Sequence, residues 1–407
     1  MNSKKLVAMG LALILALSLC ACAANEPAGT TEGETTASTV IADSNNDGQI
    51  EVGTVEDVEV NEASEHLDAA EASASGNWEA LFVPIDIEGR AIDMANVDLT
   101  PTAEELEAMK KEPAYGRPIH YFMSDGVTSG PIWPIADHLG YYKEAGLTAE
   151  GVKGSSDVEA LGTDQVDVAT GMMAKMLVPI TNGVDITFVG GAHIGCKSLY
   201  VLADSDYNTT ADLKGQKISA PNGIGKSDYN ITALLLDADG IDYSKDVELV
   251  QVSADACVTA MENGEIASAL LSDTFAYSMV KDGKLKCIRS QLDSDFANRT
   301  CCVMAMNGTF VKENPTIAKK VAQAVQKAHS WMRDNSDEAT KVLMDMGWNG
   351  GNYEMNIMIN NSLQFGLSDE FTGETLKDFI GRYIRLGLIT SMDNADEVLK
   401  LAWTPIL

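Results

Sequence analysis

The pattern of apolar and polar positions changes character along the chain, and each change marks a boundary. Lys4 and Lys5 precede an apolar run from Leu6 to Leu19. At about 14 residues it has the length of a secretory signal core and is short for a bilayer span. From there to about Gly76, large apolar residues are scarce among Glu, Thr, Ser, Ala and Gly. Such a stretch cannot bury enough surface to offset its ordering entropy, which predicts a disordered linker over 22–76. Apolar groups return with "ALFVPIDI" and a short helix opened by Thr102 and Glu105 at capping-box spacing. This predicts an N-terminal strap over 77–116, lying on the main body.

From about Pro118 onward, short apolar runs alternate with helical patterns. Strands are predicted at Ile119–Met123, Val166–Gly171, Asp185–Gly190, Ser198–Ala203, Lys217–Ser219 and Ser268–Ser272. Helices are predicted over Pro131–Glu144, from Gly171 to Ile180, and over Lys226–Asp237. Strands separated by single helices predict an α/β fold with mainly parallel sheets. The length of this region exceeds what one core usually supports, so two lobes are expected.

Charge and the N-terminus narrow the function classes. The chain carries 60 acidic against 29 basic residues, and no Lys or Arg lies between Lys5 and Arg90. Such a surface repels nucleic acid and anionic headgroups. Leu19-Cys20-Ala21-Cys22 resembles a bacterial lipobox, with Ala21 before Cys22 as the small residue preceding the lipidated cysteine. The expectation is a signal peptide over 1–21 and a mature protein anchored through lipidated Cys22 to the extracytoplasmic face of the cell membrane. Within the linker, Asp43 to Thr54 resembles half a calcium loop, but Thr54 stands where a bidentate carboxylate is needed. A solvated acidic turn fits better.

"APNGIGKSDYN", residues 220–230, opens a predicted helix and fits a relaxed phosphate-binding loop through Ala220, Gly225, Lys226 and Ser227. In that reading Lys226 reaches phosphates and Ser227 holds magnesium; export removes the nucleotide and argues against it. The same turn can instead present unpaired amides and a positive helix end to a carboxylate, sulfonate or nitrate. A capped helix with no ligand is the third reading.

"TTADLKGQKISAPNGIGKSDYNITALLLDADGID" resembles the lobe-crossing segment of type 2 solute-binding proteins of ABC importers, in the nitrate, sulfonate, taurine and thiamine-precursor group. "GEIASALLSDTFA" and "VKENPTIAKKVAQAVQKAHSWMRDNSDEA" are similar to that group's second-lobe strand and its return into lobe one. The resemblance spans roughly 117–390 and implies a two-lobed type 2 periplasmic-binding fold. Its expected divisions are 117–215 for the first part of lobe 1, 216–300 for lobe 2 and 301–407 for the return to lobe 1. After Leu147 the chain is shorter than the group's pattern, so a truncated second helix of lobe 1 is expected. The resemblance also implies a permease and its ATPase as partners, no cofactor, no catalysis and a monomer.

In open parallel sheets ligands sit beyond the carboxyl ends of strands. That rule selects Ser124, Asp125 and Thr128, then Thr170, Gly171 and Met172, and then His193 and Cys196. From lobe 2 it selects Asn222, Gly223, Gly225, Ser227 and Asp273. An acidic side chain beside an anion site points to a zwitterionic solute such as an amino sulfonate, or to a cationic ring.

Setting aside Cys20 and Cys22 leaves Cys196, Cys257, Cys287, Cys301 and Cys302, an odd number. Buried small hydrophobes, a disulfide from Cys196 to Cys301 or Cys302, and a soft-metal or thiol-sensitive site with His193 are the three readings. The cysteine pair also raises an enzymatic rival, the thiamine-pyrimidine synthase family on the same fold, which uses pyridoxal phosphate and has a cysteine-rich run. Here the run is only Cys301-Cys302-Val303, and no Lys-His pairing typical of that site is evident. A ligand-sensing receptor without transport is the other alternative.

Overall fold

A computed structural model describes residues 65–123 and 132–407. The expected signal peptide, lipidated Cys22, the calcium-like turn and the candidate residues Ser124, Asp125 and Thr128 lie outside the described residues. Among those described, no helix is long and apolar enough to cross a membrane.

Ten strands follow in chain order: β1 (Ile119–Met123), β2 (Ala149–Lys153), β3 (Val168–Met172), β4 (Ile186–His193), β5 (Lys197–Leu202), β6 (Lys217–Ser219), β7 (Glu248–Val250), β8 (Ser268–Ser272), β9 (Leu285–Ser290) and β10 (Cys302–Asn307). They form two five-stranded sheets with orders β2-β1-β3-β10-β4 and β7-β6-β8-β5-β9. β1 pairs in parallel with β2 and β3, and β6 with β7 and β8. β10 runs antiparallel between β3 and β4, and β5 runs antiparallel between β8 and β9. Each lobe therefore receives, one strand in from its edge, the strand that has just crossed from the other lobe.

This pairing moves one boundary. The strand expected at the end of lobe 1, around Ser198–Ala203, is β5 of the second sheet. The first crossing from one sheet to the other is the three-residue segment 194–196, not the turn near 215. A short apolar strand reads alike whichever sheet receives it, and only its partners reveal its lobe. The shortened stretch after Leu147 does hold a helix of six residues, Asp157–Gly162, capped by the Ser156 hydroxyl.

The linker also ends sooner than composition implies. Residues Ala69–Ser75 form a helix with Ala69 and Ala72 fully buried against β9. The Ala69 N–H donates to Asp293 Oδ1 at 2.7 Å, and the Ser294 N–H donates to Asp68 Oδ1 at 2.7 Å. Small side chains allow this close approach, so a segment poor in large apolar residues is still ordered. The following residues cross to the first lobe, where the Met94 N–H donates to Ser330 Oγ and the Thr102–Glu105 capping box forms as expected.

β4 and β10 are buried along their whole length, as expected for strands covered by helices on both faces. The helix Ser227–Ala238 of lobe 2 packs against lobe 1 through the helices Met173–Thr181 and Asp369–Arg385. Asn230 Nδ2 and the Tyr383 hydroxyl both donate to the Ala174 carbonyl, at 2.8 and 3.2 Å. Arg385 makes a two-pronged pair with Asp237 at the far end of the same helix. The lobes are thus joined along the body of this helix, and its N-terminus faces a cavity.

Candidate functional site

The cavity measures about 290 Å³ and is lined from both lobes. Lobe 1 supplies Ser155, Ser156, Asp157, Val158, Met172, Lys175 and Pro179; lobe 2 supplies Asn222, Gly225, Lys226 and Ser227. Four residues selected from sequence therefore meet in it: Met172, Asn222, Gly225 and Ser227.

The lobe 1 wall is built where β3 passes directly into the helix Met173–Thr181. Lys175 projects from the first turn of that helix and pairs with Asp157 at 2.6 Å. Asp157 opens its own short helix and is buried; Lys175 keeps a quarter of its side-chain surface exposed. Gly171 makes the pair possible, because a Cβ there would lie 2.4 Å from Asp157 Oδ2 and 2.6 Å from Met176 Cε. Opposite charges at this distance neutralise each other, while the Lys175 ammonium retains donors for a further acceptor.

The lobe 2 wall is the turn from Ala220 to Ser227. Gly223 adopts φ +90°, a conformation that costs glycine little, and its N–H donates to the Ala220 carbonyl. The Asn222 N–H donates to Asp228 Oδ2 at 3.0 Å, and the Ser227 hydroxyl donates to Asp228 Oδ1 at 3.1 Å. Asp228 is fully buried and is neutralised by Lys197 of β5. The turn is thus folded around its own carboxylate, unlike the nest of free amides that wraps a nucleotide's phosphates. The N-cap position, Lys226, contributes no side-chain cap to the helix that follows. Lys226 and the exposed Asn222 side chain are therefore the lobe 2 groups that can donate to a solute, the Ser227 hydroxyl can accept, and among the described lining residues Lys226 leaves one more cation than anion.

The remaining selected residues lie elsewhere. Thr170 bonds the Tyr121 hydroxyl within lobe 1. His193 is buried at the end of β4, its Nδ1 2.8 Å from the Ile194 carbonyl and its ring edge-on to Phe365. Burial lowers its pKa to about 4, and Nε2 has no partner among the described residues. Asp273 accepts from the Tyr200 hydroxyl at 2.7 Å inside lobe 2, where burial raises its pKa to about 6. Cys196 points to Cys301 and Cys302 rather than into the cavity wall. Strand-end position alone does not separate a side chain that enters the cleft from one that turns into its own lobe.

Asp157 and Lys175 escaped sequence reasoning. The available signal was Lys175 itself, the one charge in the apolar run "GMMAKMLVPI".

The family model described as NMT1/THI5 like matches residues 133–339. A protein of Brucella abortus (strain 2308), described only as a binding protein, is 23% identical over 217 residues, covering 52% of this chain and 66% of that relative. Among solved structures, the alkanesulfonate-binding protein SsuA from Xanthomonas axonopodis pv. citri bound to MOPS has a TM-score of 0.58 at 15% identity. That match covers 72% of this chain and 99% of SsuA. The desulfurization enzyme DSZB has a TM-score of 0.51 at 14% identity, covering 71% of this chain and 97% of the enzyme. At these identities the structural likeness speaks for the fold. With the family model matching half of its length, the chain belongs to the NMT1/THI5-like family.

Proposed function

We propose that this protein is the solute-binding component of an ABC importer. Its two lobes hold a small anionic or zwitterionic organic solute and present it to a permease and its ATPase. Tethering through lipidated Cys22 at the extracytoplasmic face of the membrane completes the reading. The observation that carries it is the meeting of Lys175 and Asp157 from one lobe with Lys226 and Ser227 from the other in a single cavity. One surplus cation among the described lining residues suits a sulfonate or carboxylate, and Asp157 offers an acceptor to an ammonium on the same solute, as in an amino sulfonate. The closed state is favoured only by the difference in solute affinity between open and closed forms.

The fold also serves enzymes, as the DSZB likeness illustrates. Buried, neutral His193 is not among the cavity's lining residues. A binding role requires no base there.

The test is thermal melting of the full chain, carrying Cys22→Ser to prevent lipidation. The panel comprises taurine, alkyl sulfonates, nitrate, bicarbonate, pyrimidine thiamine precursors, small dicarboxylates and magnesium ATP. A ligand at a hundred times its dissociation constant adds about 2.7 kcal/mol and raises the midpoint by several degrees. A rise with a sulfonate or amino sulfonate supports the reading; a rise with magnesium ATP alone contradicts it.

A further inference from the structure

Three cysteines meet where the chain passes between lobes. Cys196 ends the first crossing, with φ +102°, and Cys301 and Cys302 open the return along β10. The sulfurs of Cys196 and Cys301 are 3.4 Å apart, those of Cys301 and Cys302 4.0 Å, and all three lie within 4.8 Å of one another. Cys301 and Cys302 are buried with Ala192, and Cys196 and Met172 pack partly exposed against them. Three thiolates sharing one ion, with bonds of about 2.3 Å, stand about 4 Å from each other. The cluster is already close to that spacing.

The donor set selects the ion. The group contains no histidine and no carboxylate, and the side chain packed beside it is a thioether. Thiolate and thioether sulfur favour a soft ion, whereas structural zinc takes four thiolate or imidazole ligands. We propose that Cys196, Cys301 and Cys302 bind one thiophilic monovalent cation of the Cu(I) class, with Met172 beside it. Met172 also lines the solute cavity, so the ion would lie next to that cavity at the hinge.

Each thiol releases its proton as its sulfur binds, and three thiolates with one monovalent cation carry two negative charges. The neighbouring Cys196 sulfur and burial hold the free Cys302 thiol well above its ordinary range, and the nearby ammoniums of Lys197 and Lys175 are already paired with Asp228 and Asp157, so the charge of the bound cation itself drives the proton release. No electron is gained or lost. A Cys196–Cys301 disulfide is the competing use of the same sulfurs; it needs a two-electron oxidant and leaves Cys302 alone.

The test uses the full chain with Cys20→Ser and Cys22→Ser, so that the N-terminal pair contributes no sulfur. The protein is reduced with a phosphine and titrated anaerobically with Cu(I) against a chromogenic Cu(I) chelator. The expected result is one equivalent withheld from the chelator, with sulfur as the nearest scatterer in X-ray absorption. Cys301→Ser should lose that equivalent, and Cys257→Ser with Cys287→Ser should keep it. Should Cys301→Ser fail to fold by circular dichroism, Cys196→Ser, at the partly exposed position, carries the same prediction. No retained copper in the parent, retention of the full equivalent by a folded Cys301→Ser or Cys196→Ser variant, or retention of Zn(II) in place of Cu(I) would overturn the proposal.

Discussion

The ammonium of Lys175 lies 2.6 Å from Oδ2 of Asp157, and the two residues reach each other from the starts of different helices, one on either side of β3. Gly171 of β3 leaves the space in which they meet. Removing one partner should expose the balance between them. Lys175→Met leaves a buried carboxylate unpaired and should cost about 1–3 kcal/mol of stability, measured by urea unfolding, together with anion affinity. Asp157→Asn frees the ammonium and should tighten binding of a simple sulfonate while weakening an amino sulfonate. Equal changes for both solutes would contradict a zwitterion-binding role for the pair.

Asp228 is the anchor of the lobe 2 turn, holding the Asn222 amide and the Ser227 hydroxyl while paired with Lys197. Asp228→Ala leaves a largely buried ammonium uncompensated and should cost about 3–5 kcal/mol in chemical denaturation. Asp228→Asn retains an acceptor and should cost less. If the two variants cost the same, the charge pair is not what holds the turn.

The acid response should combine two opposing trends. Burial lowers the pKa of His193 to about 4 and of His329 to about 3, against an ordinary 6.5. The unfolded chain therefore binds more protons at these sites, and their effect is a loss of stability as pH falls from about 6.5 through the folded values. Asp273, raised to about 6 by burial, acts oppositely: its contribution is present below its ordinary value of 3.8 and is lost as pH rises through 6. Asp273→Asn should accordingly gain stability at pH 7 relative to pH 4, compared with the parent chain. Unfolding midpoints across pH 4–7 check this, and a parallel shift at all pH values would contradict it.

The N-terminal helix holds to lobe 2 through small buried side chains, with Ala72 at the contact. Ala72→Glu places a charge where there is no space and should release the segment. Limited proteolysis should then cut between residues 65 and 82 in the variant and spare the parent chain. Unchanged cleavage would mean that the segment is held by contacts other than this face.

Local chemistry was legible where a residue's neighbours in sequence are also its neighbours in space. The Thr102–Glu105 capping box forms, Lys217–Ser219 and Ser268–Ser272 are strands at the expected residues, and the 220–230 turn opens a helix. Non-local pairing was less legible. β5 looks like its predecessors in composition, and only hydrogen bonds to β8 and β9 place it in the second sheet. β2, with the sequence "AEGVK", is a half-exposed edge strand too polar to announce itself. The same limit applied to the cavity. Met172 and Ser227 follow from strand and helix ends, whereas Asp157 becomes a wall residue only because Gly171 lets it approach the strand, a contact that no spacing rule encodes.

Binding of an organic anion between the lobes is proposed to rest on Lys175 and Lys226. Calorimetric titration of an alkyl sulfonate or amino sulfonate into the parent chain and the Lys175→Met and Lys226→Met variants tests it most directly. Measurable binding to the parent and at least about tenfold weaker binding to each variant, equivalent to about 1.4 kcal/mol or more, is the expected result. Binding of equal strength by all three proteins would place the solute elsewhere and contradict this site.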